Sequence, residues 1–269
     1  MGQLRTANKR QRRASIRDRA SPLEGGRGAG AAIEWLAEAS ASPANDRDPV
    51  VVVDVANIPG GGQLHLLRCG TDYSIRFCAD ELMGSRDHLS EEALARLACE
   101  QVGPARGAVL IGGLGMGFTL GAALAAWGPD ATITVAELVP EILTWARGPL
   151  AHLYGESLDD PRTVIAIGDV HDLIASQQDA FDAILLDVDN GPDGFMRPEN
   201  DRLYCNWGLR AAHAALRPEG VLAVWSAYAD ASFGPRLAQI GFVVTEHKAA
   251  SYSGVEADEY IIWLAVKPA

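Results

Sequence analysis

The stretch Ala108–Gly117, Ala-Val-Leu-Ile-Gly-Gly-Leu-Gly-Met-Gly, decides the fold of this protein. Its first four residues are apolar and predict a short buried strand, and the glycine-rich run that follows predicts a tight loop. Residues 118–127 then predict a helix that ends at Gly128. A strand, a glycine loop and a helix in this order are typical of the end of an α/β sheet at which ligands bind.

The same alternation continues toward the C-terminus. A helix is predicted to begin at Pro140, and another covers Leu203–Leu216 and is closed by the turn Arg217–Gly220. The strands predicted downstream of the glycine loop are 132–136, 164–167, 181–186, 221–225, 242–245 and 260–266. Strands that alternate with helices predict an α/β fold with a mostly parallel, Rossmann-like sheet covered on both faces.

The region before the glycine loop reads differently. Apolar runs at 50–55, 63–68 and 73–78 predict strands, and residues 90–98 predict a helix with Ser90 as its N-cap. We therefore divide the chain into three parts: a basic tail with a short helix at 31–39 (1–48), a small N-terminal β domain (49–100) and a Rossmann-like domain (101–269).

The charge is distributed unevenly. The chain has 269 residues and a net charge of −12, but its first 30 residues hold eight Lys or Arg and only two acids, so the remainder carries −18. An acidic body repels phosphate backbones, and we expect no nucleic-acid partner. It would instead attract cations. The composition of the basic tail predicts disorder. Lipidation and anion binding are less favoured interpretations of the same segment.

Membrane, metal and disulfide chemistry are not expected. No apolar run reaches the roughly 18 residues of a membrane span, and no secretory segment follows the basic start. The cysteines Cys69, Cys78, Cys99 and Cys205 form no CxxC pair and no metal-ligand spacing. They predict reduced, mostly buried thiols in a cytoplasmic protein.

The residues that end the four central strands carry the functional prediction. They are Gly112–Gly117, Glu137, Asp169 and Asp187. Because ligands of an open α/β sheet bind beyond the carboxyl ends of its strands, these residues are expected to surround one crevice. A glycine loop and three carboxylates at the tips of successive strands predict a polar ligand there.

The loop spacing favours a nucleoside over a dinucleotide. The backbone at Gly112, Gly113, Gly115 and Gly117 can approach a ligand closely, but Phe118 stands where a pyrophosphate-binding loop needs a small residue. Glu137 can accept both hydroxyls of a ribose. Asp169 can accept from an adenine amino group or act as the N-cap of the next helix, two compatible roles. The neighbouring residues assigned to the same nucleoside site are Leu138, Gly168 and Val170.

The loop Asp187–Pro192 faces the reactive end of a ligand that lies across the strand tips. Asp187, Asp189 and Asn190 could bind a cationic amine, remove its proton or steady a sulfonium. The alternative is an Asx turn whose acids are solvated. Asp187 is the stronger candidate because it is attached directly to a strand.

These residues resemble the spermidine/spermine synthase family, which has the class I S-adenosylmethionine-dependent methyltransferase fold. The resemblance spans about residues 50–267, and its motifs are Ile111–Gly117, Glu137, Leu158–Arg162, Gly168-Asp169, Asp187–Pro192 and Leu203–Gly220. It implies a nucleoside sulfonium cofactor with Glu137 on the ribose, Asp169 near the adenine and Asp187 aiding deprotonation of an amine. It also implies a homodimer that forms through the N-terminal domain.

Three departures from the family pattern affect the reaction. Gly115 stands where the family carries an acid that holds the amino end of decarboxylated S-adenosylmethionine. Asn190-Gly191 replaces an Asp-Pro pair, and Met83–His88 replaces a Tyr-His-Glu cluster. Intact S-adenosyl-L-methionine has a carboxylate that an acid would repel, so Gly115, with free loop N–H groups beside it, favours the intact cofactor.

The sequence thus predicts an S-adenosyl-L-methionine-dependent methyltransferase for a small-molecule acceptor, with an amine favoured. Asp187 would orient or deprotonate the acceptor, assisted by Asp189 or Asn190. The alternatives are aminopropyl transfer, aminocarboxypropyl transfer that releases methylthioadenosine, and a non-catalytic ligand-binding protein. The secondary candidates for the cleft are His88, His171, Arg86, Tyr204, Trp207 and Trp225.

Overall fold

The structure is a computed structural model that describes residues 48–78, 80–188, 190–192, 201–249 and 260–269. The predicted tail, except Asp48, and its helix at 31–39 lie outside the described residues, as does Asp189.

The N-terminal part forms a four-stranded antiparallel sheet. Its strands lie in chain order and are β1 (Val50–Asn57), β2 (Gln63–Cys69), β3 (Asp72–Phe77) and β4 (Asp80–Gly84). Strand β4 was not predicted, because Asp-Glu-Leu-Met-Gly lacks a regular apolar alternation. It pairs with β3 through an irregular register between Ile75 and Arg76, and pairing of this kind depends on the partner strand rather than on local pattern.

Helix α1 (Leu89–Val102) joins the two sheets and is longer than predicted. The prediction that Ser90 caps it is wrong: the cap position is His88, and Ser90 is buried in the first turn. Its hydroxyl donates to the carboxylate of Glu91 (2.6 Å), and among the described residues no side-chain hydrogen bond caps the start of the helix. The helix crosses residue 100, where the sequence placed a domain boundary.

A seven-stranded sheet forms the larger part, and its strand order is β10-β11-β9-β8-β5-β6-β7. The strands are β5 (Ala108–Gly112), β6 (Thr132–Glu137), β7 (Thr163–Ile167), β8 (Phe181–Leu186), β9 (Leu216–Ser226), β10 (Val243–Ala249) and β11 (Tyr260–Val266). Only β11 runs antiparallel to its neighbours. The predicted mostly parallel α/β fold with a separate small β sheet is confirmed.

The helices that cover the larger sheet are α2 (Phe118–Ala126), α3 (Pro140–Arg147), α4 (Ala151–Tyr154), α5 (Val170–Ala175), α6 (Asp201–Tyr204), α7 (Asn206–Ala215) and α8 (Phe233–Ile240). The predicted helix Leu203–Leu216 is wrong in two respects. It breaks at Cys205, whose backbone is extended, and Leu216 already belongs to β9, where it pairs with Phe181. The predicted turn Arg217–Gly220 is therefore part of a strand.

The core lies on both faces of the parallel sheet. Val109 and Ile111 of β5 point into one buried cluster, and Leu110 points into another on the opposite face. This explains why the central strands read as continuous apolar runs. The four cysteines are free, but only Cys99 is buried, so the expectation of mostly buried thiols is wrong. Within the described ranges, no helix combines the length and apolarity needed to cross a bilayer.

Candidate functional site

A cavity opens at the point where the sheet topology reverses. From β5 the chain adds β6 and β7 on one side and later β8 and β9 on the other, so the ends of β5 and β8 border a crevice. The N-terminal sheet covers this crevice. Its described lining comprises Ile58, Leu64, Ile75, Phe77, Leu82, Met83, Glu91, Gly113, Gly115, Ala136, Glu137, Leu138, Val139, Ile142, Gly168, Asp169, Val170, Asp187, Val188, Leu203 and Trp225.

Eight of the residues predicted for the site line this cavity: Gly113, Gly115, Glu137, Leu138, Gly168, Asp169, Val170 and Asp187. Two predicted glycines do not. Gly112 ends β5 and packs against Val170 and Leu186, and Gly117 packs against the ring of Tyr154. Glu137 and Asp187 therefore meet at one crevice, as the sequence predicted for the strand tips.

Hydrogen bonds within the glycine loop and to neighbouring residues fix its shape. The N–H of Gly113 donates to Ala136 O (2.9 Å), and that of Gly117 donates to Leu114 O (2.9 Å). Gly113 has φ +91°, and a β-carbon there would collide with the carbonyl oxygen of Asp187. The hydroxyl of buried Tyr154 donates to Gly115 O (2.6 Å). The loop thus has a defined shape that its glycines make sterically possible.

Glu137 ties this loop to the start of α3. It is 7% exposed, and its two oxygens accept from the N–H groups of Leu114 (2.9 Å) and Val139 (2.8 Å). Burial raises the pKa of Glu137, while backbone N–H groups, including that of Gly115, act in the opposite direction. A ribose hydroxyl bound at Glu137 would donate to carboxylate oxygens that already accept from backbone N–H groups.

We expect Glu137→Gln to destabilise the protein by about 1–3 kcal/mol. Each carboxylate oxygen faces a backbone N–H, so the glutamine NH₂ meets a donor in either orientation and leaves one buried donor without an acceptor. Urea unfolding followed by circular dichroism measures the change. The exposed Glu156→Gln is the matched control. A stability equal to wild type would contradict the loop-holding role of Glu137.

Asp187 follows β8 and points to the cavity. Its N–H donates to Gly112 O (3.1 Å), which joins the ends of β8 and β5, and its Oδ2 accepts from Thr119 Oγ1 (2.7 Å). Burial raises the pKa of Asp187 to about 6, although the Thr119 hydroxyl opposes this shift. A carboxyl that titrates near neutrality is suited to accept a proton at physiological pH.

Glu91 is a functional candidate that the sequence reasoning missed. It lies in the first turn of α1, is 7% exposed and lines the cavity. Burial first, and then repulsion from Asp187, raise the pKa of Glu91 to about 8. In sequence it is one of two successive glutamates in a first helical turn. Acidic side chains are common there because they interact favourably with the helix dipole. No local signal distinguishes it from Glu92.

Asp169 is satisfied by protein groups. As the N-cap of α5 it accepts from the N–H of His171 (2.9 Å), and its second oxygen is paired with Arg202. Arg202 also approaches Asp172 (3.5 Å), which lies 3.0 Å from His171 Nδ1. The spacing of Asp169, His171 and Asp172 is compatible with a metal ion, but the guanidinium already neutralises this cluster. The predicted N-cap role of Asp169 is thus observed.

Asn190, in the loop after Asp187, is held at the end of β9 and not at the cavity. Asn190 is buried, and its carbonyl oxygen accepts from the N–H of Ala227 (3.2 Å) and from Ser226 Oγ (3.3 Å). Asn190 is not among the described residues that line the cavity, so its predicted catalytic placement is not observed. Asp189 lies outside the described residues.

The secondary candidates for the cleft fall into two groups, one at the cavity and one outside it. Trp225 lines the cavity. Tyr204 is a core residue, and Trp207 is exposed and packs on His171. His88 stacks on Phe118 (4.5 Å) and contacts Glu92. Arg86 pairs with Asp72 and lines a separate groove.

Comparisons with known proteins identify the fold. The spermidine synthase from Thermotoga maritima aligns with a TM-score of 0.64 and 19% sequence identity, over 80% of this chain and 72% of that one. A spermidine synthase in complex with the transition state analogue AdoDATO aligns with a TM-score of 0.64 and 18% identity, over the same shares. No protein-family model matches the sequence, and the search of curated proteins found no match.

The chain therefore has a spermidine synthase-like fold of the class I methyltransferase type: a mostly parallel seven-stranded sheet preceded by a small antiparallel sheet. At these identities the likeness defines the architecture. The chemistry has to be argued from the side chains of the cavity.

Proposed function

We propose that this protein is a transferase that binds an S-adenosyl sulfonium nucleoside at the cavity and transfers a group from it to a small-molecule amine. The observation that carries the proposal is the charge of the cavity. Its described lining holds four acidic side chains, Glu91, Glu137, Asp169 and Asp187, and no Lys, Arg or His. Arg202, outside the lining, pairs with Asp169 and leaves the other three without a basic partner in the lining. A crevice of this kind at the tips of parallel strands favours a cationic ligand.

The nucleoside would lie along the ends of β5, β6 and β7. The ribose would sit at Glu137 and the adenine between Leu138 and Val170, with Asp169 at its edge. Glu137, Leu138, Asp169 and Val170 all belong to the lining of the cavity. When bound, the donor would supply an electrophilic carbon, the one attached to its sulfonium sulfur. The chain contributes alignment of the two reactants and, at Asp187, a proton acceptor.

The transferred group that the site favours is aminopropyl, from a decarboxylated donor. The sequence argument for the intact donor required loop N–H groups to receive its carboxylate. In the structure the N–H groups of Gly113, Leu114, Gly115 and Gly117 interact with acceptors within the protein, and the side chain of Met83 lies against Gly115. An ammonium-ended donor is better suited to this acidic lining than one with a carboxylate.

The resemblance of the fold to spermidine synthases supports the same choice. Methyl transfer from S-adenosyl-L-methionine remains the second candidate, because Gly115 supplies no acid to hold the ammonium of a decarboxylated donor. The homodimer and the cytoplasmic location stay predictions.

Product analysis tests the proposal. The protein is incubated with 1,4-diaminobutane and with either decarboxylated or intact S-adenosylmethionine, and the nucleoside product is identified by mass spectrometry. We expect 5′-methylthioadenosine from the decarboxylated donor. S-adenosylhomocysteine from the intact donor would establish methyl transfer instead, and methylthioadenosine from the intact donor would indicate aminocarboxypropyl transfer. Nucleoside binding without a product would favour a non-catalytic ligand-binding protein.

A further inference from the structure

The lining of the cavity divides into two chemically different walls. Its acidic side chains all come from α1 or from positions at or just after strand ends of the larger sheet. Among the described residues, the N-terminal sheet and its first loop contribute only apolar side chains: Ile58, Leu64, Ile75, Phe77, Leu82 and Met83. We call these six residues the apolar wall. A ligand that fills the cavity therefore meets charge on one side and apolar surface on the other.

The charged side chains of the same strands lie outside the cavity. Ile75 and Phe77 of β3 line the cavity and alternate with Arg76. Arg76 forms an ion pair with Glu81 of β4 (2.9 Å), and both residues line a separate groove. The two faces of the N-terminal sheet thus differ in polarity, as expected for strands whose side chains alternate between faces.

A bulge in β4 adds apolar surface to the wall. Met83 pairs with Ile75, and Glu81 pairs with Arg76, so Leu82 is left between the two pairs. Leu82 and Met83 both line the cavity, although consecutive residues of a regular strand face opposite sides. Bulges redirect side chains and are common beside active sites. Both side chains are half-buried, so they keep apolar surface that a ligand can cover.

Trp225 extends this apolar surface toward Asp187. The parallel strands β8 and β9 pair Leu186 with Val224, so Asp187 and Trp225 come next at the same level. Trp225 is 6% exposed and lines the cavity, and its Nε1 has no hydrogen-bond partner among the described residues. An indole offers a donor and no acceptor, so Trp225 cannot accept a hydrogen bond from an ammonium group. It offers a ring on which hydrocarbon can pack.

A second ammonium group placed at the apolar wall would be unfavourable. Moving a charge out of water is costly unless other polar groups replace the water, and the side chains of the wall supply neither a charge nor an oxygen. The attraction of a cation to an aromatic face is smaller than this cost. A methyl group at the same place would instead gain from burial.

We infer that the apolar wall selects the acceptor of the proposed transfer: a primary amine with one ammonium group and an apolar alkyl or arylalkyl body. The inference rests on the proposed function and adds the class of its substrate. The ammonium group would lie at the acidic wall, and the hydrocarbon would lie against Leu82, Met83 and Trp225. A diamine would then be a poorer acceptor than the monoamine of equal length.

A pair of isosteric amines tests the inference. In 1-aminopentane a methyl group takes the place of one ammonium group of 1,4-diaminobutane. Initial rates of nucleoside formation, with the donor that product analysis identifies, give kcat/KM for each amine. We expect the value for 1-aminopentane to exceed that for the diamine by at least about tenfold. From 1-aminopropane to 1-aminopentane it should rise about fourfold per methylene.

Variants of Leu82 connect this preference to the wall. Leu82→Glu adds a carboxylate and should raise the diamine-to-monoamine ratio of kcat/KM by at least about tenfold. Leu82→Ala adds no charge and should lower kcat/KM for 1-aminopentane by about threefold to tenfold, with that for 1-aminopropane within about twofold of wild type. Val243→Ala is the control, because Val243 is 63% exposed on β10. Calorimetry should give wild-type affinity for 5′-methylthioadenosine in every variant.

The outcomes separate this inference from the proposed function. A kcat/KM for the diamine that equals or exceeds that for 1-aminopentane would overturn the role of the apolar wall alone. An unchanged amine preference in Leu82→Ala would do the same. Loss of methylthioadenosine affinity in Leu82→Ala would show that the wall covers the donor instead of the acceptor. No nucleoside product with either amine and either donor would overturn the proposed function, and this inference with it.

Discussion

Replacing Asp187 by asparagine is expected to lower the turnover number by about 10²–10⁴-fold, the usual contribution of a positioned general base. Asparagine keeps the size of the side chain and an oxygen that can accept from Thr119 Oγ1, which lies 2.7 Å from Asp187, but it cannot accept a proton from the amine. The initial rate of methylthioadenosine formation at saturating donor and diamine measures the loss.

Asp159→Asn is the control for Asp187→Asn, because the side chain of Asp159 is 78% exposed and forms only a surface contact with Arg147 (3.3 Å). Its turnover should equal that of wild type. The melting temperature of Asp187→Asn should not fall, since burial disfavours the charged form of Asp187 and the change removes that charge. A correctly folded Asp187→Asn protein that keeps wild-type turnover would exclude Asp187 as the proton acceptor.

The second large effect concerns the dependence of stability on pH. The pKa of Glu91 rises from 4.5 to about 8 on folding, and that of Asp187 from 3.8 to about 6. Above pH 4.5 the unfolded chain releases these protons while the folded chain retains them. The free energy of unfolding should therefore be largest in mild acid and should fall between about pH 4 and 8. At about 1.4 kcal/mol per pKa unit, these changes correspond to a loss on the order of 5 kcal/mol for Glu91 and 3 kcal/mol for Asp187.

Glu91→Gln is expected to remove most of this decline. At pH 8.5 its melting temperature should exceed that of wild type by roughly 10–20 °C, since about 5 kcal/mol is involved and 1 kcal/mol corresponds to about 2–4 °C in a protein of this size. At pH 5, where Glu91 is protonated, the two proteins should melt at similar temperatures. Differential scanning calorimetry across this pH range provides the measurement.

Glu92→Gln is the control, because Glu92 is half-exposed on the same helix. Its melting temperature should follow that of wild type at every pH. If wild type and Glu91→Gln gave parallel curves, Glu91 would be ionised in the folded protein at neutral pH, which would contradict the raised pKa of Glu91.

Most of the architecture could be predicted from local sequence patterns. The run Ala108–Gly112 is buried on both faces, so it reads as uninterrupted apolar sequence, and the glycines that follow it match a loop in which Gly113 has positive φ. Elements without such a pattern were missed or placed wrongly. Strand β4 and the extension of β9 back to Leu216 exist because neighbouring strands pair with them.

The candidate site was predictable only in part. Glu137, Asp169 and Asp187 were found because the end of a parallel strand is a position that sequence and topology share. Glu91 was not found, because which side of a first helical turn is buried depends on how the whole helix docks. The loop N–H groups were expected to be free for a ligand, but the fold directs them to acceptors of its own.

The sequence by itself determined the class of fold and the strand ends that border a ligand crevice, because hydrophobic periodicity and glycine position are local properties. Only the tertiary structure decided which acids are neutralised by the protein and which are not. That distinction depends on contacts between residues far apart in the chain: Arg202 reaches Asp169, the backbone at Leu114 reaches Glu137, and α1 carries Glu91 to Asp187. Charge balance inside a cavity is a property of these distances, and a linear pattern does not encode them.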